Sequence, residues 1–270
     1  MSASEPTVRE LLAFHYECLQ GMYFSEFHKT ENGALLFSNS IKDPYYNFFA
    51  PEHPVSSTIP PPAVLKEFSK RDRQPAVYLT PLAAQADATS PPAVDAWARD
   101  AWLVGEAASL TGSGPAVAGL RTFVVDAAQR EQYVATFAAA YSGDDPSDPY
   151  GQLDPAYTES LNASFDFQPP GYNKYYLVAT QDDVPVGVAA LFTANMLAGV
   201  YGVGTVPLRR RCGVGEAMMA QLACIAADDG ASHILLQTEA GSGVQRWYEK
   251  LGYKHRFTAP YVQVAPEQDI

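Results

Sequence analysis

Thr205-Val-Pro-Leu-Arg-Arg-Arg-Cys-Gly-Val-Gly-Glu-Ala-Met218 is the most informative stretch of the chain. The apolar, glycine-spaced residues Val200 to Val206 lead into it as a strand. Pro207 closes the strand, Arg209, Arg210 and Arg211 crowd the turn, and Gly215 to Asp228 follows as a helix. Met218, Met219, Leu222 and Ile225 fall on the buried side of that helix. A helix N-terminus presents unpaired amides and a partial positive charge, so it suits phosphate. Gly213 and Gly215 let the backbone approach an anion, and the arginines add charge around the same turn. A dinucleotide fingerprint would need a third glycine where Met218 stands, and a P-loop would need Gly-Lys-Ser/Thr at the helix start. Taken alone, the two glycines are equally compatible with an ordinary turn and solvated arginines.

The flanking pattern is mixed. Leu120 to Val125 alternates as a strand, and Asp126 is placed to cap a helix running through Tyr141. Asp154-Pro155 opens a second helix, since proline suits the first turn. Tyr175 to Thr180 and Val186 to Thr193 form strands joined by a tight turn at Asp182-Asp183. Gly202 and Gly204 inside the next strand mark a bulge or a close approach of backbone. After the glycine-led helix come a strand, Ile234 to Thr238, a helix, Gly243 to Leu251, and a short strand, Tyr261 to Val264. The order is α/β with a mixed sheet, not a run of βαβ units.

One helix and one strand beyond Arg210-Arg-Cys-Gly213-Val-Gly215 stands Trp247-Tyr-Glu-Lys-Leu-Gly-Tyr253. The pair, in this order, resembles the GCN5-related N-acetyltransferase (GNAT) superfamily. The first motif fits the family's Arg/Gln-x-x-Gly-x-Gly/Ala cofactor loop, and the second its closing helix and strand, with Tyr253 for Phe. The resemblance covers about Gly119 to Pro266, and departs from the pattern at Gly241, where an Asn is common.

The resemblance implies the GNAT fold and an N-acetyltransferase that moves an acetyl group from acetyl-CoA to an amine by direct attack. It implies that backbone groups of Val203, Gly204, Thr205 and Val206 hold the pantetheine arm. Arg210 and the amides of Arg211, Cys212, Gly213, Val214, Gly215 and Glu216 would receive the pyrophosphate. Tyr248 is then the candidate general acid for the departing thiolate. A base must take a proton from the ammonium, because only the neutral amine attacks. Glu239, at the end of its strand, is the carboxylate candidate; Tyr201 or a chain of waters is the alternative. A non-catalytic acyl-CoA sensor or scaffold would keep the phosphate loop but has no need of the acid, so retention of Tyr248 favours catalysis.

Composition narrows the partners. Lys and Arg number 18 against 30 Asp and Glu, a formal net charge of -12 with a pI near 4.8. A nucleic-acid binder needs clustered cations, so that class is excluded. A small-molecule or peptide amine is the expected acceptor, and the acidic segment Gly143 to Tyr150 is a place that could attract a cationic one. Three scattered cysteines and five dispersed histidines supply neither a disulfide framework nor a metal site. The first residues have no signal-peptide pattern and no apolar run is long enough to span a bilayer, so a cytoplasmic, non-membrane location is expected.

Thr111-Gly-Ser-Gly-Pro115 is the clearest linker, giving an expected division into residues 1–112 and 119–266. In the N-terminal half, a helix from Val8 to Met22 carries Leu11, Leu12, His15, Tyr16 and Leu19 at helical spacing. Strands are expected at Gly33–Ser38, Tyr45–Phe49 and Ala76–Thr80, and a helix at Ala63–Lys70; Ala101–Leu110 is apolar without a deciding period. The order faintly echoes the C-terminal half. Phe48 to Phe68 would stand in the place of the cofactor loop, but it holds five prolines and no glycine, and proline removes the amide donors a phosphate needs. The N-terminal half is therefore expected to be a degenerate GNAT-like copy completing the acceptor pocket, or else an unrelated cover.

Overall fold

Two runs of secondary structure, one on either side of the linker, build a single sheet in the computed structural model, which describes residues 4–55, 57–84, 95–112, 117–142 and 153–264. Helix α1 (Val8–Cys18) starts where Thr7 and Glu10 cap each other reciprocally. It is followed by β1 (Glu26–Thr30), β2 (Gly33–Phe37), β3 (Phe48–Pro51), α2 (Pro62–Lys70), β4 (Ala76–Tyr78), β5 (Ala98–Glu106) and the short α3 (Ala107–Leu110). Beyond the linker come β6 (Leu120–Val125), α4 (Arg130–Tyr141), α5 (Pro155–Ser164), β7 (Asn173–Gln181), β8 (Val184–Ala194) and β9 (Leu197–Thr205). Helix α6 (Val214–Asp228), β10 (His233–Glu239), α7 (Gly243–Lys250) and β11 (Lys254–Gln263) complete the order.

Most signals in the C-terminal half become elements where expected, but the last strand, expected at Tyr261–Val264, runs over Lys254–Gln263. Asp126 caps a single 3-10 turn that feeds α4, Asp154 accepts from Ala156 N to start α5, and Asp182 and Asp183 both take positive φ in the β7–β8 turn. Readings of the N-terminal half change at several places: the first helix ends at Cys18 and not at Met22, and strand β1 follows it where none was expected. Tyr45 and Tyr46 lie in a 3-10 turn after Pro44, and the strand begins only at Phe48. Ala101–Leu110 divides into the end of β5 and helix α3. The linker 111–115 falls partly outside the described residues, and the acidic segment 143–150 falls wholly outside them.

The sheet has 11 strands in the order β1-β2-β3-β4-β11-β5-β10-β9-β8-β7-β6. Neighbours are antiparallel except at β3–β4 and β9–β10. Each parallel pair is joined through a helix, α2 in one case and α6 in the other, so β3-α2-β4 repeats the connection of β9-α6-β10. Each repeat is then flanked by a strand from the other: β5 pairs along the whole of β10, and β11 pairs with β4. The two exchanged strands meet each other at the centre, Lys254–Tyr261 against Ala98–Val104. The expected boundary at the linker therefore does not divide the sheet.

One face of the sheet is covered by α1, α4 and α5, with Leu11, Tyr16, Tyr133, Phe137, Leu161, Trp102 and Tyr201 in its core. The other face is covered by α3, α6 and α7, through Ala107, Met218, Leu222 and Tyr248. Burying a large apolar side chain contributes about 1.5–3 kcal/mol. Trp102 and Phe192, both at 0% exposure, are among the largest such groups in the sheet.

Candidate active site

Strands β9 and β10 are in register over only three pairs: Leu197 with His233, Ala198 with Ile234, and Gly199 with Leu235. Both strands continue, to Thr205 and to Glu239, but their pairing to each other ends. On β9 the register against β8 shifts, Val188 facing Gly204 while Ala190 faces Tyr201, so Gly202 and Val203 form the bulge that the glycines suggested. Gly202 takes φ +57 there. Gly204 lets α4 come close: a Cβ at 204 would lie 2.8 Å from Ala140 Cβ and 2.8 Å from the Tyr141 ring. Tyr141 uses that proximity to donate its hydroxyl to Val203 O at 3.0 Å. Of the backbone groups expected to meet the pantetheine arm, Val203 O, Thr205 O and Val206 N have protein partners: Tyr141, Arg210 and Val186 O.

The turn after β9 is arranged around its own amides. Arg211 and Gly213 both take positive φ, +61 and +83, and Gly213 is the N-cap of α6. The first amide satisfied within the helix is that of Ala217, donating to Gly213 O at 3.0 Å, so those of Val214, Gly215 and Glu216 precede the ladder. The arginines differ in use. Arg210 turns inward, donating Nε to Thr205 O at 3.2 Å and an Nη to Ala140 O at 3.0 Å, which ties the turn to β9 and to the end of α4. Arg209, Arg211 and Cys212 are exposed. Gly215 makes room for Trp247 of α7, whose indole would be 3.2 Å from a Cβ added there. The two sequence motifs thus touch.

Tyr248 follows Trp247 and is buried, beside Tyr253. Burial, and then the neighbouring Tyr253, hold its phenol well above the usual range, so it keeps its proton throughout neutral pH. Gly241, where the resemblance would have Asn, has φ +77, a conformation that both residue types tolerate.

Side chains along β10 alternate between faces. Leu236 points to the α6 and α7 side, while Leu235, and by the same alternation Gln237 and Glu239, point to the α1 side. Glu239 is exposed and stands opposite Asp100 of β5. Glu239 and Tyr248 are therefore on different faces of the sheet. At the opening between β9 and β10, the α1 face carries a cluster that the sequence did not disclose. Tyr201 OH lies 3.2 Å from His15 Nδ1, and Cys18 Sγ donates to it at 3.4 Å. The Gln237 side chain lies beside the same hydroxyl, its Nε2 buried and without a hydrogen-bond partner. Burial lowers His15 to about 3, so its imidazole is neutral, and raises the Cys18 thiol. The only signal for His15 was its place on the apolar stripe of α1, and nothing local set it apart from a core residue.

Residues 137–253 match the acetyltransferase (GNAT) family model. These residues belong to that family. No curated protein sequence matches the chain. Among solved structures, a GCN5-related N-acetyltransferase from Kribbella flavida is similar at TM-score 0.61 and 23% identity, covering 94% of this chain and 95% of its own. A functionally unknown conserved protein from Staphylococcus epidermidis ATCC 12228 gives 0.64 at 12% identity, covering 89% and 93%. A tandem GNAT protein from the clavulanic acid biosynthesis pathway gives 0.55 at 11%, covering 89% and 82%. At these identities the likeness is one of fold: the GNAT fold extends over both halves of the chain. No described helix is long and apolar enough to cross a membrane, and no described group of His, Cys, Asp and Glu could hold a metal ion.

Proposed function

We propose that the protein is an N-acetyltransferase that moves the acetyl group of acetyl-CoA to an amine by direct attack, and that only its C-terminal half binds the donor. The observation that carries this reading is the parting of β9 from β10 after Gly199 and Leu235, directly before a glycine-capped helix with unused amides. The fit is chemical: an N-terminal turn flanked by Arg209 and Arg211 suits a pyrophosphate, and the open edge of β9 suits an amide-bearing arm. Acetyl-CoA, when bound, supplies the activated acyl group and a thiolate leaving group.

Tyr248, held protonated by burial, is the proton donor to that thiolate. On the α1 face, Tyr201 and Gln237 orient the acceptor, and Glu239, exposed to water, takes the proton the amine must lose before it attacks. The N-terminal half is a degenerate GNAT-like copy. Its α2 begins at Pro61-Pro62 and so lacks the donors of a phosphate turn, and its role is to build the acceptor side. The acceptor is a small-molecule or peptide amine and the site of action is the cytoplasm. A non-catalytic acyl-CoA sensor would have no use for a proton-donating phenol, so the presence of Tyr248 favours the enzyme.

Calorimetry with acetyl-CoA tests the reading. The wild-type protein binds, and a folded Gly213→Asp, Gly215→Asp double variant binds at least tenfold more weakly. A wild-type protein that is folded yet does not bind acetyl-CoA ends the acyltransferase reading.

A further inference from the structure

Asp100 is a half-buried carboxylate whose charge has no cationic partner. It lies on β5, on the α1 face, one two-residue step along the strand from Trp102, which itself faces Gln237 of β10. Tyr78 of β4 donates its hydroxyl to Asp100 at 3.2 Å, and Tyr261 of β11 hydrogen-bonds it too. Ala259 of β11 lies directly opposite Asp100 and adds no polar group to this row. Tyr16 and Tyr46 are also close enough for the Asp100 charge to raise their phenol pKa values. Among the described residues no Lys, Arg or His pairs with Asp100, and the residue facing it across β10 is another carboxylate, Glu239. Like charges directly opposite one another in a sheet are destabilising, and a partly buried charge without a partner is costly.

A second observation points the same way. Tyr16 is 3% exposed and its hydroxyl has no hydrogen-bond partner, although it lies within the electrostatic reach of Asp100. Buried polar groups are nearly always satisfied, so this corner of the α1 face holds an unused hydrogen-bonding group as well as an uncompensated charge. The phenol oxygens around it can accept hydrogen bonds from an ammonium that the carboxylate attracts.

Resting on the acetyltransferase reading, we infer that the acceptor is a diamine or an amine with a second cationic group, and that Asp100, hydrogen-bonded by Tyr78 and Tyr261 with the unpartnered Tyr16 hydroxyl in the same corner, holds the cation that does not react. The reacting nitrogen has to shed its charge, and a carboxylate beside it would oppose that; a carboxylate at a distance can hold a group that stays charged. The distance follows from the sheet. From Gln237 to the space beside Asp100 is one to two strand spacings across and one two-residue step along, about 8 to 12 Å. The N-terminal half of the chain thereby sets the specificity: Asp100, Tyr16, Tyr46 and Tyr78 all precede the linker.

The test measures binding to the full chain saturated with coenzyme A, using octane-1,8-diamine and 8-aminooctan-1-ol as probes of matched length. The diamine is expected to bind at least tenfold more tightly than the amino alcohol, and Asp100→Asn is expected to abolish that preference while leaving acetyl-CoA affinity within twofold. Equal binding of the two probes by the wild-type protein overturns the inference, without needing a variant that folds. A preference that survives in a folded Asp100→Asn protein overturns it as well. Failure to bind acetyl-CoA is a separate result, directed at the acetyltransferase reading, and the two probes can still be compared on the free protein.

Discussion

Arg210→Ala separates roles that Arg209, Arg210 and Arg211 share by charge alone. The Arg210 guanidinium reaches two backbone carbonyls, Thr205 O at 3.2 Å and Ala140 O at 3.0 Å, and so joins the turn to the strand before it and to α4. A hydrogen bond from a charged group contributes about 1.5–3 kcal/mol, and less where water competes. Since Arg210 is only partly buried, the pair together is worth about 2–4 kcal/mol. For a chain of this size that is roughly 4–8 °C in Tm. Arg209→Ala and Arg211→Ala remove exposed side chains and should change stability by no more than about 0.5 kcal/mol. Their effect belongs to binding: each weakens acetyl-CoA affinity several-fold, and less so at high salt, because exposed charges are screened. Thermal denaturation followed by circular dichroism, with calorimetry at low and high salt, distinguishes the cases. An Arg210→Ala protein with unchanged Tm and strongly salt-dependent loss of affinity would refute the argument, since it would make Arg210 a phosphate ligand and not a brace.

Tyr248→Phe should lower kcat by about 10²–10³ while acetyl-CoA affinity stays within twofold; steady-state kinetics showing less than a threefold fall would remove the acid role. The Asp100 carboxyl is pushed up to about 7 by burial, partly offset by the Tyr78 and Tyr261 hydroxyls. Its folded value therefore lies above the unfolded one, so its contribution favours folding below about pH 4 and is lost as pH rises through about 7. Asp100→Asn should accordingly raise Tm at pH 8 and make little difference below about pH 4, and thermal melts showing the same difference at both would contradict the assignment. Residues 119–266 expressed alone lack β5, so β10 and β11 lose the strand between them. That fragment should be unfolded or aggregated by circular dichroism and sedimentation until residues 1–112 are supplied, and a folded monomer without them would count against the shared sheet.

The phosphate turn was legible because its chemistry is local. Proline, arginine and glycine at fixed spacing produce the stop, the charge and the positive φ at Gly213 with little help from the rest of the fold. The bulge at Gly202 and Val203 was legible for the same reason. Strand β1 was not, since Glu26–Thr30 is an edge strand with charged, largely exposed residues and no apolar alternation. β5 resisted for the opposite reason: Ala101–Glu106 lies mostly buried on both faces, and such a run shows no period that distinguishes strand from helix. The acceptor side was illegible because His15, Asp100, Tyr201 and Gln237 come from four elements spread over more than two hundred residues of sequence, and only the packing of α1 on β9 and the insertion of β5 beside β10 bring them onto one face.

That exchange also has a consequence in time. Strand β4 ends at Tyr78, while its antiparallel partner in β11 is centred on Val262, so the chain between them must be synthesised before that side of the first repeat closes. At typical translation speeds that interval is on the order of ten to forty seconds. Throughout it Ala76–Tyr78 has one unfilled hydrogen-bonding edge, and β5 waits for both of its neighbours. The nascent N-terminal half is thus a natural client for chaperones that shield strand edges, and the two repeats mature as a single event.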